Sequence, residues 1–291
     1  MKRFPKAMSL GLMVFCIFLM GVAPSLAVDY TVNFDAQSGT TPVPETKVVT
    51  FGDPYGVLAT TSRTGYTFDG WFDAPTGGTE VTDVTIVATA SDHTLYAQWT
   101  ANEYTVTFDA QSGTTPVPET KLVTFDAAYG ALATTSRTGY TFDGWFDAPT
   151  GGTEITDVTI VATASDHTLY AQWTANDYTV TFDAQSGTTP VPETKQVTFD
   201  AAYGALATTS RTGYTFDGWF DAPTGGTEVT DVTVVATASD HTLYAQWTAN
   251  EYTVTFDAQS GTTPVPETKL VTFDAAYGAL ATTSRTGYTF D

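Results

Sequence analysis

The sequence predicts a mainly β protein, α+β at most, built from small modules in tandem. The first observation is a repeat. The segment that begins at Tyr30 returns almost unchanged at Tyr104, Tyr178 and Tyr252, which gives a period of 74 residues (104 − 30). The second observation is an alternation of apolar and polar side chains within each repeat, which is typical of half-buried strands. Because this period exceeds that of a stacked solenoid unit, we expect small domains arranged as beads on a string.

The first 27 residues have the pattern of a secretory signal peptide. Three basic residues precede an apolar run over residues 8–21, and Ser25 and Ala27 are small residues suited to a signal peptidase. The run is short for a membrane span, which needs about 20 residues. We therefore expect a cleaved signal, no membrane insertion afterwards, and localisation outside the cell or in the cell envelope. An uncleaved anchor is the alternative.

Charge and cysteine content limit the partners of the chain. Without the three basic residues of the predicted signal, the formal net charge changes from −21 to −24, and each complete repeat has nine acidic and two basic residues. Such a charge repels nucleic acid and anionic lipid, so we expect neither as a partner. The one cysteine, Cys16, lies in the predicted signal, which leaves the remainder without disulfides or thiolate metal sites.

Repeat 2 shows the predicted elements in order. The alternating residues 104–108 and the run 121–125 predict two strands, joined by a loop with turn-forming serine, glycine and proline. Residues 127–132 are the one stretch that would form a helical turn or short helix. The aromatic residues 139–146 predict a strand that enters a tight turn.

Two further strands and a short joint complete the repeat. Residues 158–162 and 167–174 are β-branched or alternating, and Leu169, Ala171 and Trp173 share one face of the second run. Only residues 174–177 then connect to the next repeat. A joint of this length without glycine or proline does not let domains tumble freely, so we expect a semi-rigid row.

The predicted domain boundaries follow from the period. The fourth copy lacks the segments that form the last strands of the other repeats, so we expect it to be largely unstructured. We expect the sequence to come from a truncated gene model or to be a fragment of a larger protein. The boundaries are a signal peptide at 1–27, complete repeats at 30–103, 104–177 and 178–251, and a truncated repeat at 252–291.

Three segments of the repeat carry a resemblance to a known family. They are Tyr-Thr-Val-Thr-Phe-Asp-Ala at 104–110, Arg-Thr-Gly-Tyr-Thr-Phe-Asp-Gly-Trp at 137–145 and Leu-Tyr-Ala-Gln-Trp-Thr at 169–174. This frame resembles the internalin B repeat, also called the Listeria–Bacteroides repeat, over essentially all of residues 30–291. The resemblance implies small β-grasp-like (ubiquitin-like) modules of secreted or surface-attached bacterial proteins, with no catalytic residues to carry over. Some members bind host receptors through leucine-rich repeats, which are absent from this sequence.

The polar residues do not form the pattern of an enzyme. Asp166 and His167 recur in each complete repeat, but no serine elbow accompanies them and one histidine does not make a zinc site. Asp143, Asp147 and Glu154 flank a turn, where carboxylates would suit calcium or glycoside hydrolysis. The sequence has no EF-hand loop, and a small module has little room for a substrate cleft. We expect no catalytic site, no metal and no cofactor, with calcium as the open alternative.

The aromatic residues are the better candidates for contact with a ligand. We expect Trp145 and Trp173 in the core, because a small module without cysteine needs large buried side chains. Phe146 follows Trp145 and should lie on the opposite face. Phe146 and its equivalents Phe72 and Phe220 are therefore the predicted ligand contacts.

The sequence thus predicts a secreted or cell-surface bacterial protein that acts as an extracellular spacer, stalk or adhesion segment. One alternative is a multivalent array that binds a carbohydrate or a protein. Another is the non-catalytic part of a larger secreted enzyme. In either case the expected partner is an extracellular protein or glycan, and the sequence does not indicate an oligomeric state.

Overall fold

The computed structural model of the protein describes residues 27–291, and the predicted signal peptide lies outside the described residues except for Ala27. All named elements in this part of the chain are β-strands, and it contains no helix long and apolar enough to cross a membrane. The predicted class of mainly β tandem modules is confirmed. The chain divides into two compact units, of which the first contains repeat 1 and ends at Asn102 and the second begins at Glu103.

Repeat 1 forms a single sheet of five strands. They are β1 (Asp29–Asp35), β2 (Thr46–Thr50), β3 (Tyr66–Phe72), β4 (Glu80–Val81) and β5 (His93–Ala101). Their order across the sheet is β2-β1-β5-β3-β4. The central pair β1 and β5 is parallel and the other neighbours are antiparallel. Irregular chain without a named helix covers one face of this sheet.

The second unit contains two more copies of this sheet. Their orders are β7-β6-β10-β8-β9 in repeat 2 and β12-β11-β15-β13-β14 in repeat 3. The strands are β6 (Glu103–Asp109), β7 (Thr120–Thr124), β8 (Tyr140–Phe146), β9 (Glu154–Ile155), β10 (His167–Ala175), β11 (Asp177–Asp183), β12 (Thr194–Thr198), β13 (Tyr214–Phe220), β14 (Glu228–Val229) and β15 (His241–Ala249).

The fourth copy is more ordered than the sequence suggested. Strands β16 (Glu251–Thr255) and β17 (Thr268–Thr272) pair antiparallel over five residues each, so the expectation of a largely unstructured segment is wrong for this hairpin. Most of its side chains are exposed, because the strands that cover the equivalent hairpin in repeats 1–3 have no counterpart within residues 252–291.

Each complete repeat buries one face of its sheet. In repeat 2, Val106 is fully buried and Trp145 is 2% exposed. The connecting segments close this core from the other side through Tyr129 and Val161, which are also buried. The indole Nε1 of Trp145 donates to the carbonyl oxygen of Ala133 at 2.8 Å and so ties the central sheet to the covering chain.

The covering segment of repeat 2 does not contain the helical turn expected at residues 127–132. Asp126 has a positive φ of 63°, and its N–H donates to the carbonyl oxygen of Val161 at 3.0 Å. The chain therefore bends away from a helical path, and Ala128 forms an isolated bridge with Ile160.

This bridge also explains a second difference. Residues 158–162, expected as a strand, make only the single bridge, because their hydrogen bonds go to the covering segment instead of a sheet neighbour. The sheet edge next to β8 is formed by β9, which is two residues long and pairs with Trp145 and Phe146. It was not predicted because it is too short to show a period.

A bulge in β8 places two aromatic side chains on the same face. The register between β8 and β10 shifts near Gly144, whose φ is +139°. Residues three apart then point to one side, and the ring centroids of Phe142 and Trp145 lie 5.6 Å apart. Glycine at this position permits the bulge, since residues other than glycine rarely adopt such a φ.

We predict that Trp145→Ala unfolds repeat 2. The substitution removes the largest buried side chain of the core and its hydrogen bond to Ala133, and such a loss costs about 3–5 kcal/mol. Denaturant unfolding of the full chain should show an early transition for the altered repeat. Val158→Ala, at a side chain that is 73% exposed, is the matched control and should change stability by less than about 0.5 kcal/mol. Wild-type stability of the Trp145→Ala variant would contradict burial of this ring.

Candidate functional site

Phe146, the ligand contact predicted from the sequence, lies half-buried on the face of the sheet opposite to Trp145. It is opposite Tyr170 in the neighbouring strand, and Tyr170 is in turn opposite Asp109. On the other side Phe146 is opposite Glu154. These four residues form one row across the outer face, in which two aromatic rings lie between two carboxylates. That this row binds a ligand remains a prediction. The equivalent phenylalanines of repeats 1 and 3 are Phe72 and Phe220.

The two tryptophans of each repeat differ in burial. Trp145 is in the core as expected, whereas Trp173 is partly buried and packs against the edge of the core. The Trp173 ring lies 5.2 Å from the ring of Phe142, which is 37% exposed. Its indole Nε1 donates to the carbonyl oxygen of Ala110 at 2.9 Å.

Asp166 and His167 have structural contacts. The carboxylate of Asp166 accepts the backbone N–H of Thr105 at 2.7 Å. The ring Nδ1 of His167 lies 2.9 Å from the carbonyl oxygen of Ser165, which can only accept, so in the neutral ring Nδ1 carries the hydrogen. Nε2 then accepts from the hydroxyl of Tyr129 at 2.7 Å. The contact with Tyr129 holds the covering segment to the sheet, and the local contact with Ser165 fixes the tautomer of the ring.

The carboxylates near Trp145 are also engaged within the repeat. Asp147 accepts the N–H of Thr153 at 2.7 Å, which closes a turn, and Asp143 accepts from the hydroxyl of Thr174 at 2.8 Å. Across residues 27–291, no three histidine, cysteine or acidic side chains gather in a group that could hold a metal ion.

The connection between repeats 2 and 3 is shorter than the sequence suggested. β10 continues to Ala175 and β11 begins at Asp177, so Asn176 alone separates them. The N–H of Asn176 donates to the carbonyl oxygen of Gly139 in repeat 2, and its carbonyl accepts the N–H of Phe199 in repeat 3, both at 2.9 Å. The side-chain oxygen accepts from Thr141 at 2.6 Å. This residue is therefore fixed to both repeats.

Phe199 of repeat 3 packs directly against repeat 2. Its ring centroid lies 5.7 Å from that of Tyr140 in an edge-to-face geometry, and 6.5 Å from that of Tyr178. A Cβ added to Gly139, where φ is +79°, would lie 2.4 Å from the Phe199 ring. Only glycine leaves room for this ring and also adopts the backbone conformation without strain.

A polar contact lies beside the Phe199 ring. The hydroxyl of Tyr140 donates to the carboxylate of Asp200 in repeat 3 at 2.7 Å. This hydrogen bond, followed by desolvation, raises the pKa of Tyr140 above its ordinary value, since the carboxylate disfavours a neighbouring phenolate. The guanidinium of Arg137 stacks 3.6 Å from the centre of the Tyr140 ring and lies 4.0 Å from Asp200.

The same arrangement joins repeat 3 to the fourth copy. The N–H of Phe273 donates to the carbonyl oxygen of Asn250 at 2.9 Å, and a Cβ on Gly213 would lie 2.4 Å from the Phe273 ring. The hydroxyl of Tyr214 donates to Asp274 at 3.2 Å. We call each of these contact sets, Gly139, Tyr140, Asn176, Phe199 and Asp200 or their equivalents, an aromatic joint.

The aromatic joint was not predicted from the sequence. Residues 139–146 were expected as a strand that enters a tight turn, and Phe199 corresponds to Phe125, the last residue of the second predicted strand. The sequence does contain one signal. A large apolar residue and an acidic residue, Phe199 and Asp200, directly follow a strand that is otherwise half-exposed. Which residues this pair contacts depends on the path of the chain through Asn176, and the sequence does not specify that path.

The fold and the joints define a protein of tandem small β modules in which successive repeats dock through ordered contacts in the second unit. The chain belongs to the Listeria-Bacteroides repeat domain family, which matches residues 30–98, 104–172, 178–246 and 252–291. The resemblance seen in the sequence is thereby confirmed.

Three relatives share the repeats. A protein of Evansella cellulosilytica described as a Gly-rich membrane protein is 35% identical over 215 residues, which are 69% of this chain and 24% of the relative. A second protein of that organism, described as a membrane protein, is 30% identical over 239 residues, 78% of this chain and 34% of the relative. Internalin H of Listeria monocytogenes is 46% identical over 116 residues, 40% of this chain and 20% of the relative. The matched part of the chain thus spans between 20% and 34% of the length of these relatives.

We predict that Gly139→Ala disrupts the aromatic joint between repeats 2 and 3. Forcing a methyl group against the Phe199 ring should cost about 1–3 kcal/mol beyond the cost of the positive φ. Gly287→Ala is the matched control, because Gly287 has a φ of +77° and no neighbour within 4 Å of an added Cβ.

Denaturant unfolding of the full chain measures both variants, together with Phe199→Ala and the double variant Gly139→Ala/Phe199→Ala. If the clash is with Phe199, the cost of Gly139→Ala should fall to that of the Gly287→Ala control once the ring is removed. Additive costs in this cycle would show that Gly139 and Phe199 do not touch.

Proposed function

We propose that this chain is part of a bacterial cell-surface protein and serves there as an extracellular spacer. Support for the location comes from the relatives, since an internalin and two membrane proteins carry the same repeats. The predicted signal peptide fits export. The spacer role is our inference from the joints and from the repetition of one module.

The aromatic joint is the observation that carries the spacer role. A spacer must hold the segments at its two ends apart, and a flexible linker does this poorly because its end-to-end distance grows only as the square root of its length. Here Asn176 alone connects repeats 2 and 3, and its backbone is hydrogen-bonded to both of them. The Phe199 ring and the Tyr140–Asp200 hydrogen bond further restrain the position of repeat 3 relative to repeat 2. Adding repeats of this kind therefore adds reach.

The surface charge suits the same role. Each complete repeat carries nine acidic and two basic residues. Repulsion between neighbouring repeats and from anionic lipid would keep such a segment extended and away from the membrane. The cores of these repeats need no disulfide, so the spacer would fold independently of the redox state outside the cell.

The spacer role predicts a fixed distance between repeats 2 and 3. Spin labels on cysteines that replace Val158 and Val232, both highly exposed, in a Cys16→Ser background report this distance by pulsed electron paramagnetic resonance. We expect one narrow distance distribution for the full chain. Gly139→Ala should broaden it, and the control Gly287→Ala should leave it unchanged.

A broad distribution in the chain without joint substitutions would argue against a spacer of fixed reach. It would favour instead a flexible tether between other domains of the protein. Equal broadening by Gly139→Ala and Gly287→Ala would mean that the aromatic joint does not fix the distance.

A further inference from the structure

Each complete repeat has a shallow groove on one side of its half-buried tryptophan. In repeat 2 its volume is about 260 Å³, and we call it the Trp–Gln groove. Grooves of about 380 and 240 Å³ lie at the same place in repeats 1 and 3. The lining residues used below are Gln111, Arg137, Thr150, Gly151, Gln172 and Trp173 in repeat 2.

Gln172 presents a fixed hydrogen-bond acceptor in this groove. Its Nε2 donates to the carbonyl oxygens of Ala148 at 3.2 Å and Gly151 at 2.6 Å, so both amide hydrogens are used. These contacts fix the plane of the amide. The Oε1 of Gln172 accepts no hydrogen bond from the part of the protein that the structure describes and is left to bind a donor from a ligand.

Gln111 and Arg137 add donors to the groove. The backbone of Gln111 is held at a φ of 47°, with its N–H bonded to Asp109, while its side-chain amide makes no hydrogen bond to residues 27–291. Arg137 has a side chain that is 28% exposed. Stacking on Tyr140 fixes the plane of the guanidinium, and this plane carries five N–H donors.

Trp173 contributes an aromatic surface. Its one polar atom already donates to Ala110, so what the ring offers to a ligand in the groove is apolar contact. A ring beside fixed amide and guanidinium groups is suited to a ligand with an apolar ring face and a rim of hydroxyl groups. Sugars combine these two features.

We propose that the Trp–Gln groove binds a neutral glycan. The ring of Trp173 packs against the C–H face of one sugar, Gln172 accepts from a sugar hydroxyl, and Gln111 and Arg137 donate to sugar oxygens. The glycan is neutral because each complete repeat has seven more acidic than basic residues, and this charge repels a polyanion. This activity goes beyond the spacer role, and neither depends on the other.

Repetition makes a weak groove useful. A shallow, open groove of this size gives a low affinity for one sugar chain, but three grooves on one chain bind a surface coated with that glycan by avidity. The spacer and the binding array would then be two properties of the same repeats.

The test compares two variants of the full chain with the same change in charge. T76E/T150E/T224E places a carboxylate in all three grooves, each of which the arginine also lines, at a threonine without side-chain hydrogen bonds inside the described chain. V84E/V158E/V232E adds the same charge at highly exposed valines outside the grooves. Equal thermal stability of the two variants shows that both are folded.

Binding is measured on surfaces that carry cellohexaose, chitohexaose or mannohexaose as neutral probes, with hyaluronan hexasaccharide as the acidic probe. We expect the wild-type chain to bind at least one neutral probe. The groove variant should lose roughly tenfold or more in apparent affinity, because all three sites of a multivalent contact are blocked. The valine variant should bind like the wild type.

Three results would overturn the proposal. The first is no binding of the wild-type chain to any of the neutral probes. The second is binding to hyaluronan alone, which would assign the groove to an acidic glycan. The third is an equal loss in both variants, which would attribute the effect to charge and not to the groove.

Discussion

The burial of one tryptophan organises each complete repeat. A sheet with a single buried face needs a cover, and here the cover is irregular chain without a helix. Trp145 supplies the apolar surface that this chain packs on, and its indole N–H fixes the position of Ala133 in the cover. Tyr129 and His167 connect the same cover to the central strand. The apolar contact of the ring thus determines the path of the connecting segments, and the polar contacts fix that path.

The two basic residues of a repeat both have structural roles. The ammonium group of Lys121 donates to the carbonyl oxygens of Tyr129 at 2.5 Å and Ala131 at 2.7 Å, so it replaces hydrogen bonds that a helix in this segment would make internally. Arg137 stacks on Tyr140 and approaches Asp200 in the next repeat. The excess of acidic residues therefore gives the surface a negative charge, which opposes association with other anions.

The sequence predicts the strands well where apolar and polar residues alternate. The strands near 104–108, 121–125, 139–146 and 167–174 are all present. In β6 and β10 the buried residues are two apart, whereas β7 and β8 each bury a single residue, Val123 and Trp145. Prediction from the sequence fails where tertiary contacts determine whether a segment forms a strand. Four of the five residues 158–162 are β-branched, which favours a strand, yet the segment hydrogen-bonds to the cover instead of a neighbouring strand.

The candidate sites show the same limit. The position of Phe146 on the face opposite Trp145 follows from a period of two and needs no structure. The Trp–Gln groove combines residues from four separate segments of the chain, near 111, 137, 150 and 172, so no local pattern marks it. The aromatic joint depends on two repeats at once. The groove and the joint depend on the path of the folded chain, so they cannot be predicted from the sequence pattern of a single repeat.

The joint has a consequence for how the repeats respond to force. Asn176 is held by backbone hydrogen bonds to Gly139 and Phe199, so tension along the chain loads the joint as well as the cores of the two repeats. The contacts around it are a ring in a glycine-lined site and one exposed tyrosine–aspartate hydrogen bond. These contacts bury less apolar surface than the core around Trp145, so they should separate first and the cores should unfold later. A spacer built in this way would lengthen in small steps under load while its repeats stay folded.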